Sequence, residues 1–121
     1  MVKLSEREWT VLEALWKRGG AALGPLTEDL RQETGWNRNT VLTYLTRMEA
    51  KGLVSIDKGS SPRLYQAGVD REACQAQARD SFLRQVYRGS TGDLVAAFLK
   101  EKPISPQERE ALRRLLDEME V

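Results

Sequence analysis

Residues 35–67, GWNRNTVLTYLTRMEAKGLVSIDKGSSPRLYQA, decide the fold. Asn37 is a good N-cap and Gly52 a good terminator, so the spacing predicts a helix from Arg38 to about Lys51. At about 100° per residue, Val41, Leu45 and Met48 share one face, with Leu42 at its edge. The opposite face collects Asn39, Thr40, Thr43, Thr46, Arg47 and Ala50, without a carboxylate among them. Threonine offers a hydroxyl and a methyl to base edges, and arginine a fork that matches guanine or phosphate. Taken alone, such a face reads equally as a solvated amphipathic helix. The following residues move the balance. Leu53-Val54-Ser55-Ile56-Asp57 and Arg63-Leu64-Tyr65-Gln66-Ala67 alternate as strands, and Lys58-Gly59-Ser60-Ser61-Pro62 joins them with basic residues at base and exit.

Upstream, Gly24-Pro25 places proline at the first position of a short helix whose apolar stripe is Leu26 and Leu30 and whose left-handed end is Gly35. Only Gly35-Trp36-Asn37 separates it from the next helix, which is the helix-turn-helix pattern. Before it, Ser5-Glu6-Arg7-Glu8 is a capping box, with Leu4 and Trp9 at the positions of a hydrophobic staple. Trp9, Leu12, Leu15 and Trp16 then recur at helical spacing until Gly19-Gly20. A helix-turn-helix followed by a basic two-stranded hairpin is a winged helix, in which the third helix enters the major groove and the wing reaches the backbone or minor groove.

Beyond about Val69 the character changes. Asp70 caps a segment reaching about Arg88 with Cys74, Ala78, Phe82, Leu83 and Val86 near one stripe; Ser90 starts a helix carrying Leu94, Val95, Phe98 and Leu99. Ser105-Pro106-Gln107-Glu108 combines a capping box with proline at the first position, opening a helix with Leu112, Leu115, Leu116 and Met119. Three short amphipathic helices make a thin core. The expected architecture is therefore mainly α with a small β-hairpin wing: a winged helix-turn-helix domain over residues 1–69 and a three-helix dimerisation region over 70–121. Phe82, Val86, Leu94, Phe98, Leu112, Leu115, Leu116 and Met119 are the expected seam, with packing onto the winged domain as the alternative. Cys74 reads as a small hydrophobe near that seam rather than as a thiol switch.

Composition narrows the classes. The 121 residues are 40% apolar and 31% charged with a formal net charge of +1, so a nucleic-acid surface has to come from local placement. Residues 36–66 supply it, with five basic residues (Arg38, Arg47, Lys51, Lys58, Arg63) against Glu49 and Asp57. No histidine and one cysteine exclude the common zinc sites, a Ser-His-Asp triad and an intrachain disulfide framework. No phosphate loop or nucleophile–base pair is present, so the expectation is a non-enzyme without cofactor or metal. Neither a bilayer-spanning run nor a secretory leader is visible, so a cytoplasmic protein without membrane contact is expected.

The motifs Glu8-Trp9-x-Val11-Leu12-x-x-Leu15-Trp16, Trp36, Thr40-Val41-x-Thr43, Arg47, Lys51-Gly52 and Arg63-x-Tyr65 stand together in this order. In them the chain resembles the penicillinase-repressor family of bacterial transcription factors, which includes repressors of beta-lactamase genes and copper-responsive relatives. The resemblance spans nearly the whole chain. It implies a homodimeric winged-helix repressor on an inverted-repeat operator in double-stranded DNA. Asn39, Thr40, Thr43 and Arg47 match recognition-helix positions that face DNA, and Lys51, Lys58 and Arg63 would serve the backbone. Relatives often carry Lys at position 39, and commonly Ser-Pro where this chain has Asn37-Arg38, so Arg38 adds a charge of its own. Lactam-responsive members respond to a sensor-protease system through an Asn-Phe bond; Ala97-Phe98 keeps only the Phe, so such a regulatory partner is unsupported. The Cys-x-Cys motifs of copper-responsive members are missing.

Two other readings compete: a winged-helix protein-interaction module without DNA binding, which the near-neutral charge suits, and a ligand-gated regulator of another winged-helix family. The first is opposed by the carboxylate-free helix face, the second by a short C-terminal region without clustered polar groups.

Overall fold

The computed structural model describes residues 3–119. Six helices and one hairpin follow in the order α1 (Glu6–Arg18), α2 (Leu23–Thr34), α3 (Arg38–Ala50), β1 (Val54–Asp57), β2 (Leu64–Ala67), α4 (Arg71–Tyr87), α5 (Thr91–Glu101) and α6 (Pro106–Glu118). The chain forms two compact units, one running to Ala78 and one starting at Arg79, so the division falls inside α4.

The first unit is a winged helix. Ser5 caps α1 as its sequence requires: its hydroxyl accepts from the Glu8 amide at 3.2 Å, and its own amide donates to Glu8 Oε1 at 2.9 Å. Val11, Leu12 and Leu15 from α1, Leu26 and Leu30 from α2, and Val41, Leu45 and Met48 from α3 are fully buried against Leu53, Val54 and Tyr65. Fully burying an aliphatic side chain contributes roughly 1.5–3 kcal/mol, so this three-helix face supplies most of the unit's driving force. Trp16 caps the core's edge, stands edge-on to Trp9 at 6.1 Å, and donates its indole N–H to the Val69 carbonyl at 3.0 Å.

The hairpin pairs antiparallel, with Val54 opposite Ala67 and Ile56 opposite Tyr65, so its inward residues continue the helical core. Each strand is one residue shorter than the alternation suggests, which leaves Arg63 in the loop. One pairing has no counterpart in the sequence pattern: Ala21 exchanges both backbone hydrogen bonds with Tyr65, at 2.9 and 2.8 Å. That bridge ties the α1–α2 connection to the wing. It also moves the start of α2, which begins at Leu23 with Ala22 as N-cap rather than at Pro25. Pro25 still sits in the first turn, where a missing N–H costs nothing.

In the second unit, Ser90 caps α5 and Ser105 caps α6 by accepting from Asp93 and Glu108 amides. The Ser105 hydroxyl also donates to Glu108 Oε1 at 3.4 Å. None of this unit's described residues is buried. Cys74, 3% exposed, belongs to the first unit. Among the described residues, no helix is long and apolar enough to cross a membrane.

Candidate nucleic-acid interface

Which face of α3 meets solvent is set by how the helix is held. Asn37 Oδ1 accepts from the Thr40 amide at 2.9 Å, starting the helix where its sequence indicates. Val41, Leu45 and Met48 bury one face completely, and rotation is thereby fixed, with Asn39, Thr43, Thr46, Arg47 and Ala50 left exposed on the other and Thr40 half-buried. Leu42, 38% exposed, stands at the edge between the faces. On the flank, Trp36 stacks on Tyr44 at 4.8 Å, and the Tyr44 hydroxyl accepts from Arg7 Nη1 at 2.8 Å. Those two contacts brace the start and middle of α3 against α1.

The threonines are chemically specific. Thr43 and Thr46 donate their hydroxyl hydrogens to the carbonyls of Asn39 and Leu42, each at 2.9 Å. Each hydroxyl then presents acceptor lone pairs and a neighbouring methyl outward, a surface suited to base amino groups and to the thymine methyl.

Positive charges divide into two groups. Arg38, Arg47 and Arg63 are exposed, and none makes an ion pair or hydrogen bond with any described residue. Both lysines are engaged. Lys58, at the base of the wing, lies 3.7 Å from the Glu49 carboxylate in an exposed pair, the kind that contributes little and opens easily. Lys51, the C-cap of α3, donates to Glu8 Oε2 at 2.9 Å, and Glu8 is buried. Burial pushes the Glu8 carboxyl up, but hydrogen bonds from the Ser5 amide and Lys51, with the lysine's charge, outweigh it and hold it below the ordinary value. Asp57 orders the wing loop: its carboxylate accepts from the Ser60 hydroxyl at 2.8 Å and the Gly59 amide at 3.0 Å, which lower its pKa in that order.

The eight residues expected to meet DNA (Arg38, Asn39, Thr40, Thr43, Arg47, Lys51, Lys58 and Arg63) therefore occupy one helix, its C-cap and the adjoining wing. The Lys51–Glu8 pair was not readable from the chain. Glu8 announces itself as a capping residue, but its second partner lies 43 positions away. Burial pushes the Cys74 thiol up, and the Asp70 charge adds to this, so the sulfur is held as a poorly reactive thiol.

A family model described as penicillinase repressor matches residues 4–118. The methicillin resistance regulatory protein MecI of Staphylococcus aureus (strain N315) is 26% identical over 115 residues, covering 95% of this chain and 94% of that protein. The penicillinase repressor of Bacillus licheniformis is 25% identical over 116 residues, covering 96% and 91% respectively. Among solved structures, a chain of Bordetella bronchiseptica BpsR, described for regulation of its DNA binding by 6-hydroxynicotinic acid, is similar with a TM-score of 0.48 and 22% identity, covering 98% of this chain and 76% of that one.

Proposed function

The chain belongs to the penicillinase repressor family and is a DNA-binding transcriptional repressor; we propose that it acts as a homodimer on an inverted-repeat operator, occluding the promoter. The observation that carries this reading is the exposed face of α3, rotated outward by its buried stripe, free of carboxylates and flanked by three arginines that no described acid neutralises. Asn39, Thr40, Thr43 and Arg47 read base edges. Arg38, Arg63 and, once released from Glu49, Lys58 hold the backbone. Two such helices enter successive major grooves about one turn (~34 Å) apart.

The second copy is recruited through the dimerisation region over residues 70–121, whose seam residues all lie in the second unit. Phe82, Val86, Phe98, Leu112, Leu115, Leu116 and Met119 are all exposed in a single chain, and Leu94 is only half-covered. An array of that size on one unit is more than a monomer commonly leaves to water. The bond preceding Phe98 is Ala97-Phe98, inside α5, so the Asn-Phe signal of lactam-responsive members has no equivalent there.

An electrophoretic shift on the gene's own upstream promoter DNA, against excess random duplex at physiological salt, tests the reading. A discrete complex of two protomers per site that survives competition is expected. No shift even at low salt overturns it in favour of an interaction module.

A further inference from the structure

A cleft of about 400 Å³ opens in the first unit between the start of α2, the first residue of α3 and the outgoing limb of the wing. Arg38 and Arg63 both line it, together with Leu23, Pro25, Pro62 and Tyr65. Neither guanidinium has an anionic or hydrogen-bonding partner among the described residues. Tyr65 supplies a third donor. The residue is only 4% exposed, yet its hydroxyl bonds to no described group and is not sealed from solvent. Tyr65 is also among the residues that line the cleft. The first turn of α2 has no side-chain cap, and Gly24 adds no Cβ at the rim, so backbone donors there are also unoccupied.

Three donors without a partner among the described residues, two of them cationic forks, suit an anion with several acceptor oxygens. The position identifies which anion. A helix lying in the major groove and a wing reaching the next minor groove necessarily have one DNA strand passing between them, and this cleft lies between those two elements.

Resting on the repressor reading, we propose that this cleft is a phosphodiester clamp: Arg38, Arg63 and the Tyr65 hydroxyl close on one and the same backbone phosphate in each half-site. The clamp positions the helix and wing on the strand and carries no base preference of its own.

A methylphosphonate scan tests it, neutralising one linkage at a time in the operator while affinity is read for wild type, Arg38→Gln, Arg63→Gln, Arg38→Gln/Arg63→Gln and Tyr65→Phe. Each variant's fold is checked by circular dichroism, and Tyr65→Phe keeps the buried ring. For wild type, one linkage per half-site is expected to cost roughly tenfold or more when neutralised. In the double variant the same substitution should cost less than twofold, with each single variant and Tyr65→Phe partly insensitive at that same linkage. Sensitivity lost at two different linkages by the two arginine variants, or retained in the double variant, overturns the clamp while leaving operator binding intact. A wild-type protein that binds no operator overturns the repressor reading and the clamp with it.

Discussion

Glu8 accepts from the Ser5 amide and from the Lys51 ammonium at the same time, each at 2.9 Å. Lys51→Ala leaves a buried carboxylate without its cation and is expected to cost about 1–2 kcal/mol at neutral pH, read by urea unfolding. The pH dependence has a definite sign. Because the folded Glu8 carboxyl lies below its ordinary value of 4.5, its stabilisation is complete above that value and is lost as pH falls through the folded one. The difference between wild type and Lys51→Ala should accordingly shrink in melts below pH 4.5. Arg47 and Lys58 behave differently. Arg47 is unpaired on the exposed face of α3 proposed to read bases, so Arg47→Ala should lose about 1–3 kcal/mol of preference for operator over random duplex. Lys58→Ala should weaken both equally and lower the salt slope by about 1, since breaking its exposed pair with Glu49 costs little. Unchanged discrimination in Arg47→Ala would remove that residue from base readout.

At the level of elements, the joint between α3 and the hairpin depends on two glycines meeting. A Cβ at Gly68 would stand 2.8 Å from the Gly52 carbonyl oxygen, and the Gly68 amide donates to Leu53 at 2.8 Å. Neither group is a flexible side-chain end, so the backbone itself has to shift. Gly68→Ala should therefore destabilise by about 1–3 kcal/mol. The contrasting position is Gly24, inside α2 with nothing within 4 Å and no left-handed backbone angle. There Gly24→Ala should stabilise by roughly 0.4–1 kcal/mol by restricting the unfolded chain. Thermal melts of the pair check both; a Gly68→Ala protein as stable as wild type would show that the joint has slack.

For the whole molecule, the proposed dimer rests on the unburied second unit. Phe98 is 59% and Leu116 65% exposed in a single chain. A stable interface commonly buries about 1,200–2,000 Å² in total, and the exposed apolar residues of α4, α5 and α6 are the surface able to supply it. Leu115→Asp/Leu116→Asp should shift the protein to monomer in sedimentation equilibrium. Operator affinity should fall by at least tenfold as the avidity of two linked half-site contacts is lost, while the first unit's fold, read by tryptophan fluorescence, stays intact. A dimer that survives these charges would place the seam elsewhere.

Helix existence, the N-caps of α1, α3, α5 and α6 and the division between inner and outer faces of α3 were determined by the sequence alone. Capping by Ser5, Asn37, Ser90 and Ser105, and burial of Val41, Leu45 and Met48, depend on neighbours within four positions, which periodicity records. The tertiary structure decided what depends on residues far apart in the chain. It paired Ala21 with Tyr65 and so moved the start of α2, brought Lys51 onto Glu8, and gathered Arg38, Arg63 and Tyr65 around one cleft. Local rules set each residue's orientation on its own element, but a charge's availability to DNA depends on whether folding has already given it a partner. For Lys51 it had, and for Arg38, Arg47 and Arg63, among the described residues, it had not.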